Sequence, residues 1–135
     1  MITAVDTNVL LDLFGADPDF GTQSKQAIRS CLAEGRLVAC DVVWAEVGSF
    51  FPSPEDAQDA MHRLGVEFSA IELGAALAAS AAWKAYRSRG GQRSRVVADF
   101  LIGAHALSQA DRLLTRDRGF YRTSFSHLRL SDPSR

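Results

Sequence analysis

Short apolar runs alternate with longer segments of helical periodicity along the chain, and this alternation constrains the fold more than any other feature. Strands are predicted at residues 2–5, 36–40, 66–71 and 112–115, with a fifth at 128–130. Helices are predicted at 9–14, 22–34, 42–51 and 54–64, in an Ala-rich stretch ending near 87, and at 96–107. Strands that alternate with helices form parallel sheets covered on both faces. The sequence therefore predicts an α/β fold with three α/β/α layers and a central parallel sheet of four or five strands.

Several helix ends can be read from capping residues. Asn8 and Asp41 are predicted to cap the first and third helices, since short polar side chains accept hydrogen bonds from a helix's free N–H groups. Ser53 followed by Pro54 is a strong start signal for the fourth helix. Gly65 is predicted to end that helix.

Composition limits the size of the fold and the kind of partner. A chain of 135 residues, 47% hydrophobic and 23% charged, is typical of one globular domain, here residues 1–135. The net charge of −1 gives no overall attraction for a polyanion, so phosphates must be held by local basic clusters. Thirteen of the fifteen basic residues are Arg, which binds phosphate bidentately, although a GC-rich genome would explain the same bias.

Cysteine content and hydropathy point to a cytoplasmic protein. Cys31 and Cys40 lack metal-binding spacing, lie in apolar stretches, and are predicted to be buried free thiols. No signal peptide is recognised, and no apolar run approaches the roughly 20 residues that a membrane span needs. We therefore expect no membrane association.

Four acidic residues stand out by their positions. Asp6 directly follows the first predicted strand, and Asp117 lies two residues beyond the fourth. Glu46 and Asp99 are lone acids in otherwise apolar helices that are expected to be buried. Ligands of parallel sheets bind at the carboxyl ends of the strands. We therefore expect these four acids to gather at one edge of the sheet.

A buried carboxylate requires a cation, a hydrogen-bond network or a proton. No Lys or Arg is spaced to pair with all four acids, whereas a divalent metal neutralises several carboxylates at once, and Mg²⁺ or Mn²⁺ favours oxygen ligands. Simpler alternatives remain for two of them: Asp6 as a helix cap and Asp117 as a turn residue. By contrast, five other acids lie in loops or first helical turns among polar residues, where solvation or a helix dipole fully explains them: Asp17, Asp19, Glu55, Asp56 and Asp59.

These segments resemble those of the PIN-domain ribonucleases, and more closely the VapC toxins of bacterial toxin–antitoxin pairs. The matching segments are DTNVLLD at 6–12, Glu46 in an early helix, DFLIGAHA at 99–106 and LLTRD at 113–117. The resemblance covers essentially the whole chain, and the ordered set is more specific than any single motif. It implies a PIN-like domain whose acidic site residues are Asp6, Glu46, Asp99 and Asp117.

The resemblance also implies a function. We expect a Mg²⁺- or Mn²⁺-dependent endoribonuclease, with Asp6 and Asp99 as core metal ligands and with Glu46 and Asp117 completing the site directly or through water. Thr7, Asn8 and Thr115 would orient carboxylates or waters. A small antitoxin that covers the acidic pocket is the expected partner, and a homodimer the expected assembly.

Arginine residues are predicted to line the rim of this site. Phosphate contacts of this kind position a nucleic-acid strand without reading its sequence, although the same residues would also suit a solvated loop. The candidates for RNA contact are Arg87, Arg93, Arg95, Arg116 and Arg118, with Arg89 and Arg122 nearby.

Three further residues receive structural interpretations. Asp12 is expected on a solvated helix face, His105 as a satisfied core histidine, and Trp44 in the core or on a partner surface. Two rival functions remain open. A haloacid-dehalogenase-like phosphohydrolase would need Asp-x-Asp after the first strand, where position 8 is Asn. The other rival is a catalytically silent RNA- or protein-binding module.

Overall fold

The computed structural model describes residues 1–92 and 95–135, and these residues form five strands and seven helices. In chain order the elements are β1 (Ile2–Val5), α1 (Thr7–Phe14), α2 (Gly21–Glu34), β2 (Arg36–Cys40), α3 (Asp41–Gly48), α4 (Pro54–Leu64), β3 (Val66–Ser69), α5 (Leu73–Ser88), α6 (Val97–Gln109), β4 (Arg112–Leu114), α7 (Arg118–Ser124) and β5 (Leu130–Ser131).

All five strands run parallel in one sheet, in the order β3-β2-β1-β4-β5. Parallel crossovers are right-handed, so the connections toward β3 and those toward β5 place their helices on opposite faces of the sheet. Helix α1 contacts α2 and α3, α3 contacts α4, and α5 packs against α6. The predicted three-layer α/β/α fold with a parallel sheet is confirmed.

The central strands are buried on both faces. In β1, Ala4 and Val5 point to opposite faces, and both are almost inaccessible to solvent. Leu37 of β2 and Leu114 of β4 are likewise fully buried. Burial on two sides explains why these strands read as apolar runs without alternation.

The predicted cap of the first helix was wrong, whereas the signals at the fourth were confirmed. Asp6, not Asn8, caps α1: its backbone is extended and its side chain accepts a hydrogen bond from the Thr7 N–H group. Asp41 is the first residue of α3 instead of its cap. Ser53 caps α4, which ends at Gly65 in a left-handed conformation with φ of 94°.

Other differences concern short elements near the carboxyl end. Helix α7, of seven residues, was not predicted, because so short a segment shows too few turns for a periodic pattern. The last strand covers Leu130–Ser131 instead of 128–130, and β3 ends at Ser69 instead of residue 71. Both thiols are free and buried, as predicted. Within residues 1–92 and 95–135, no helix has the length and apolar character to cross a membrane.

Candidate active site

The carboxyl ends of β1 and β4 lie side by side at the centre of the sheet. Val5 is in register with Leu114, and the Asp6 N–H group donates a 2.9 Å hydrogen bond to the Leu114 carbonyl. The strand order reverses direction between these two strands, and such a switch point opens a crevice at the carboxyl edge. Asp6 follows β1 at once and Asp117 follows β4 by three residues, so both lie at this crevice.

Asp6 is the buried acid of the site, with only 6% of its surface exposed. Its Oδ1 accepts a hydrogen bond from the Thr7 N–H group at 2.8 Å. Its Oδ2 accepts one from the Thr115 hydroxyl at 2.7 Å and a longer one from the Asn8 amide at 3.3 Å. Donors on α1 and at the end of β4 therefore fix the carboxylate between them.

Burial raises the pKa of Asp6 from 3.8 to about 6, because desolvation disfavours the charged carboxylate. Hydrogen bonds from Thr115, Thr7 and Tyr121 lower the pKa, and the charge of Asp117 raises it further. The effect of desolvation on the pKa is larger than that of the hydrogen bonds. The hydrogen bonds from the protein therefore do not fully offset the cost of burying the ionised carboxylate of Asp6.

Thr115 connects the two strand ends. Its hydroxyl is fully buried, donates to Asp6 and accepts a hydrogen bond from the Asp117 N–H group at 3.0 Å. The Asn8 side chain strengthens this link, because its Oδ1 accepts from the Arg116 N–H group at 3.3 Å. The turn after β4 is therefore held against the start of α1.

Tyr121 shows that three of the four acids share one region. Its side chain on α7 is buried, and its pKa is raised by desolvation and then by the negative charges of Asp6, Asp99 and Asp117. This tyrosine was not placed at the site from the sequence. A signal was present, since Tyr121 lies four residues after Asp117, one helical turn along α7.

Asp99 lies in the first turn of α6, where the structure differs from the expectation of deep burial. Its side chain is 29% exposed. Further along the helix, Phe100 and residues 102–106 are buried, whereas Val96 and Val97 are exposed. The apolar composition of this segment thus overstated the burial of its first turn, which faces the crevice.

Arg95 links Asp99 to Asp117. Its Nη1 lies 2.8 Å from Asp117 Oδ2 and 3.9 Å from Asp99 Oδ2. Its guanidinium also stacks 4.2 Å from the centre of the Phe120 ring. One cation thus approaches two of the four acids, and the salt bridges among the described residues reach neither Asp6 nor Glu46.

Glu46 is exposed on α3, which contradicts the prediction that it is buried. Val43 and Val47 face the core from this short helix, and Glu46 lies on the other side. The Thr7 hydroxyl donates a 2.6 Å hydrogen bond to Glu46 Oε1. Because Thr7 also binds Asp6 through its backbone, Glu46 is connected to the crevice despite its exposure.

Two of the predicted rim arginines are already engaged within the protein. Arg116 forms an ion pair with Asp12 at 2.6 Å, and Arg118 one with Asp132 at 2.9 Å. Asp12 is buried, with 4% of its surface exposed, so its assignment to a solvated helix face was wrong. The error arose because the partner of Asp12 lies 104 residues away in sequence.

The remaining arginine candidates border a concavity beside the acids. Arg87 stacks on Trp83, and both line a cavity of about 560 Å³ together with Arg95. Arg89 borders a smaller concavity that also includes Arg95. Arg93 lies outside the described residues.

The two other residues interpreted on the sequence lie away from the acids. His105 is buried with Nε2 2.9 Å from the Ser69 hydroxyl, in agreement with its expected structural role. Trp44 lines an apolar groove with His62 and Phe68. Its indole N–H is buried without a hydrogen-bond partner in the described part of the chain.

The donor set suits a hard divalent cation. Across residues 1–92 and 95–135, no three acidic, His or Cys side chains stand close enough together to hold an ion as they are. The guanidinium of Arg95 instead supplies the positive charge between two of the carboxylates. Positive charge is thus already held between Asp99 and Asp117, and the pKa of the third carboxylate, Asp6, is raised. The donor atoms of these acids are all oxygens. Both features are compatible with binding of Mg²⁺ or Mn²⁺.

Solved structures with the same fold come from several bacteria. The chain matches one from VapBC2 of Rickettsia felis, bound to a fragment of its promoter DNA, with a TM-score of 0.76, 18% identity and 98% of each chain covered. A chain of VapBC-1 from nontypeable Haemophilus influenzae matches with a TM-score of 0.75, 22% identity and 100% of both chains. For FitAcB of Neisseria gonorrhoeae the TM-score is 0.69, with 17% identity and 99% of each chain.

Sequence comparison assigns the family. No curated protein matches the chain significantly. The sequence profile of the PIN domain, however, matches residues 3–126, which run from the second residue of β1 to beyond α7 and include all four acids. The chain therefore belongs to the PIN-domain family.

Proposed function

We propose that this protein is a Mg²⁺- or Mn²⁺-dependent endoribonuclease that hydrolyses RNA phosphodiester bonds, and that it is the toxin of a VapBC-type toxin–antitoxin pair. The observation that carries the proposal is that three carboxylates are linked to one another at the switch point of the sheet. Hydrogen bonds through Thr115 join Asp6 to Asp117, and the Arg95 guanidinium lies against both Asp117 and Asp99. Carboxylates are brought together in this way where a cation must be bound.

In this proposal Asp6 and Asp99 are the core metal ligands, and Asp117 and Glu46 complete the site directly or through water. A bound divalent ion would supply an activated water and neutralise charge on the phosphate. Asp6 must be ionised to act as a ligand, and its raised pKa indicates that the folded protein alone does not fully stabilise that charge.

The supporting residues keep these oxygens in place. Thr115 and Asn8 donate to Asp6, and Thr7 donates to Asp6 and to Glu46. Their own positions are fixed by α1 and by the end of β4. Such donors orient carboxylate oxygens toward a common point and restrict their rotation.

RNA would approach along the concavity beside the acids. Arg87 and Arg95 line it and would contact phosphates, with Arg93 as a further candidate from the sequence. Arg95 has a double role in this proposal, because binding of metal and substrate would release it from Asp117. Arg116 and Arg118 pair instead with Asp12 and Asp132, which are not acids of the proposed metal site, so metal binding would not release them and we place them outside the phosphate path.

A small antitoxin is the proposed protein partner, supported by the similar folds found in VapBC complexes. We also propose a homodimer, supported by exposed apolar side chains on α5, where Leu73 is 74% and Leu77 is 62% exposed. Light scattering on the purified protein tests the dimer directly, and a monomer at micromolar concentration contradicts it.

The decisive experiment is cleavage of total RNA and of a defined oligoribonucleotide, with Mn²⁺, with Mg²⁺ and with EDTA. Cleavage is expected only with metal, and Asp99→Asn is expected to abolish it. Asp59→Asn is the matched control, because Asp59 is an exposed acid that pairs with Arg63 on its own helix. Metal-independent RNA binding without cleavage would identify a silent binding module, and an acid-labile phosphoenzyme would identify a phosphohydrolase.

A further inference from the structure

Asp12 is the only charged residue of α1, and it is held by two other segments of the chain. Its carboxylate accepts hydrogen bonds from Arg116 Nε at 2.6 Å and from Arg116 Nη2 at 2.9 Å. The Ser24 hydroxyl of α2 donates a third at 2.9 Å. The buried carboxylate is thus fully engaged, with a bidentate guanidinium as its cation.

Arg116 is fixed at both its backbone and its side chain. It lies between Thr115 and Asp117 in the turn after β4, and its N–H group donates to Asn8. Its guanidinium reaches α1 at Asp12, and its flat face stacks 4.1 Å from the centre of the Phe20 ring. A planar group that is both paired and stacked has little freedom to move toward a substrate phosphate.

Helix α1 therefore contacts the turn at its start and again further along. At the start of the helix, Asp6 accepts from the Thr115 hydroxyl and Asn8 accepts from the Arg116 N–H group. Asp12, six residues after Asp6 and about 9 Å along the axis, accepts from the Arg116 guanidinium. The contacts at the start alone would let the turn pivot about the end of the helix. The additional contact at Asp12 fixes the orientation of the turn, and with it the position of Asp117.

We propose that the Asp12–Arg116 pair is a positioning clamp that sets the relation between the Asp6 and Asp117 carboxylates. This inference rests on the proposed nuclease function. In it, Arg116 acts through Asp12 and the turn and does not bind RNA. Neither residue is a catalytic residue.

The test compares Arg116→Lys with Arg112→Lys. Arg112 is a matched control because it lies at the start of β4, is mostly buried and pairs with Glu34 at the opposite edge of the sheet. Lysine keeps the charge but loses the planar fork. Measurements are kcat and KM on a defined RNA at saturating Mn²⁺, the Mn²⁺ Kd by calorimetry, and the fraction of folded protein.

For Arg116→Lys we expect kcat per folded molecule to fall at least tenfold, KM to stay within twofold and the Mn²⁺ Kd to rise. For Arg112→Lys we expect all three to remain near wild type. A raised KM with unchanged kcat and a smaller salt dependence would instead identify a phosphate contact and overturn the clamp. Wild-type values per folded molecule would show that the pair only stabilises the fold, and would also overturn it.

A second variant covers the case in which Arg116→Lys does not fold. Asp12→Leu/Arg116→Met removes both charges together, so no buried carboxylate is left unpaired. We expect this double variant to fold and to show the same reduction in kcat as is expected for Arg116→Lys. A wild-type kcat in the double variant would contradict the clamp.

The clamp can also be separated from the proposed function. If the wild-type protein neither binds Mn²⁺ nor cleaves RNA, the nuclease proposal fails, and the clamp is then judged from a crystal structure of Arg116→Lys. A turn at residues 115–117 that is displaced from α1 supports the clamp. An undisturbed turn refutes it.

Discussion

The hydroxyl of Thr115 donates a 2.7 Å hydrogen bond to Oδ2 of Asp6, although 109 positions separate the two residues in sequence. The same hydroxyl accepts from the Asp117 backbone. One buried oxygen thus connects the first of the four site acids to the last. Replacing Thr115 by Val removes this oxygen and leaves the shape of the core almost unchanged. The substitution therefore tests the hydrogen bond directly.

Thr115→Val is expected to raise the pKa of Asp6 further, because the hydrogen bond that it removes lowers that pKa. The acid limb of the pH profile of kcat/KM for RNA cleavage will then move to higher pH. Stability will fall by about 1–3 kcal/mol, since the Asp117 N–H group loses its acceptor. Thr115→Ser keeps the hydroxyl and should leave the acid limb in place, and a profile that is the same in all three proteins would contradict the assignment.

Asp6 makes the metal-free protein less stable as the pH rises. Its pKa is about 6 when folded and near 3.8 when unfolded, so its stabilising contribution is complete below pH 4 and is lost as the pH rises through 6. A difference of this size corresponds to about 3 kcal/mol. Asp6→Asn should therefore stabilise the metal-free protein at pH 7.5 but not at pH 4, as measured by urea unfolding in EDTA. Equal effects at both pH values would show that Asp6 is not destabilised by burial.

Arg95→Ala is expected to strengthen Mn²⁺ binding several-fold, because it removes the cation that approaches Asp117 and Asp99. The same substitution should raise KM for RNA and reduce the slope of log K against log salt by about one, as expected for a lost phosphate contact. Calorimetry and filter binding provide the two measurements. Arg63→Ala, which removes an exposed arginine on α4, serves as the control. Weaker Mn²⁺ binding in Arg95→Ala would contradict this description.

Glu46→Gln should have a smaller effect on Mn²⁺ affinity than Asp99→Asn, because Glu46 is exposed and is tied to the site by a hydrogen bond from the Thr7 hydroxyl. Thermal unfolding in EDTA should be unchanged, since no buried group loses a partner. If Glu46→Gln lowered the Mn²⁺ affinity as much as Asp99→Asn does, Glu46 would have to be counted as a core metal ligand.

The sequence was sufficient for the order of the elements and for the edge of the sheet at which Asp6 and Asp117 meet. Strand patterns and the rule for parallel sheets depend only on local composition and on topology. Glu46 and Asp99 were also selected from the sequence, but on an argument from burial that the structure does not bear out. Average hydrophobicity of a helix does not report which of its sides, or which turn, faces solvent.

Contacts between residues that lie far apart in the chain could not be predicted from local sequence patterns. The pairing of Asp12 with Arg116 depends on how a turn packs against α1, and no local pattern encodes that distance. The same holds for Tyr121, whose hydroxyl approaches Asp6 only after α7 has folded beneath the crevice. The periodicity of apolar residues predicts where helices and strands lie. Which polar side chains contact each other depends on how those helices and strands pack in three dimensions.

The adjacency of β1 and β4 in the sheet has a consequence for synthesis of the chain. A ribosome makes β1 first, and α1 with Asp6 can form soon afterwards, but the neighbour that completes the crevice is encoded about 110 codons later. Until β4 leaves the exit tunnel, Thr115 and Asp117 cannot pack beside Asp6. Any activity of this site is therefore delayed until the last part of the domain has emerged from the ribosome, and the order of the strands alone sets this delay.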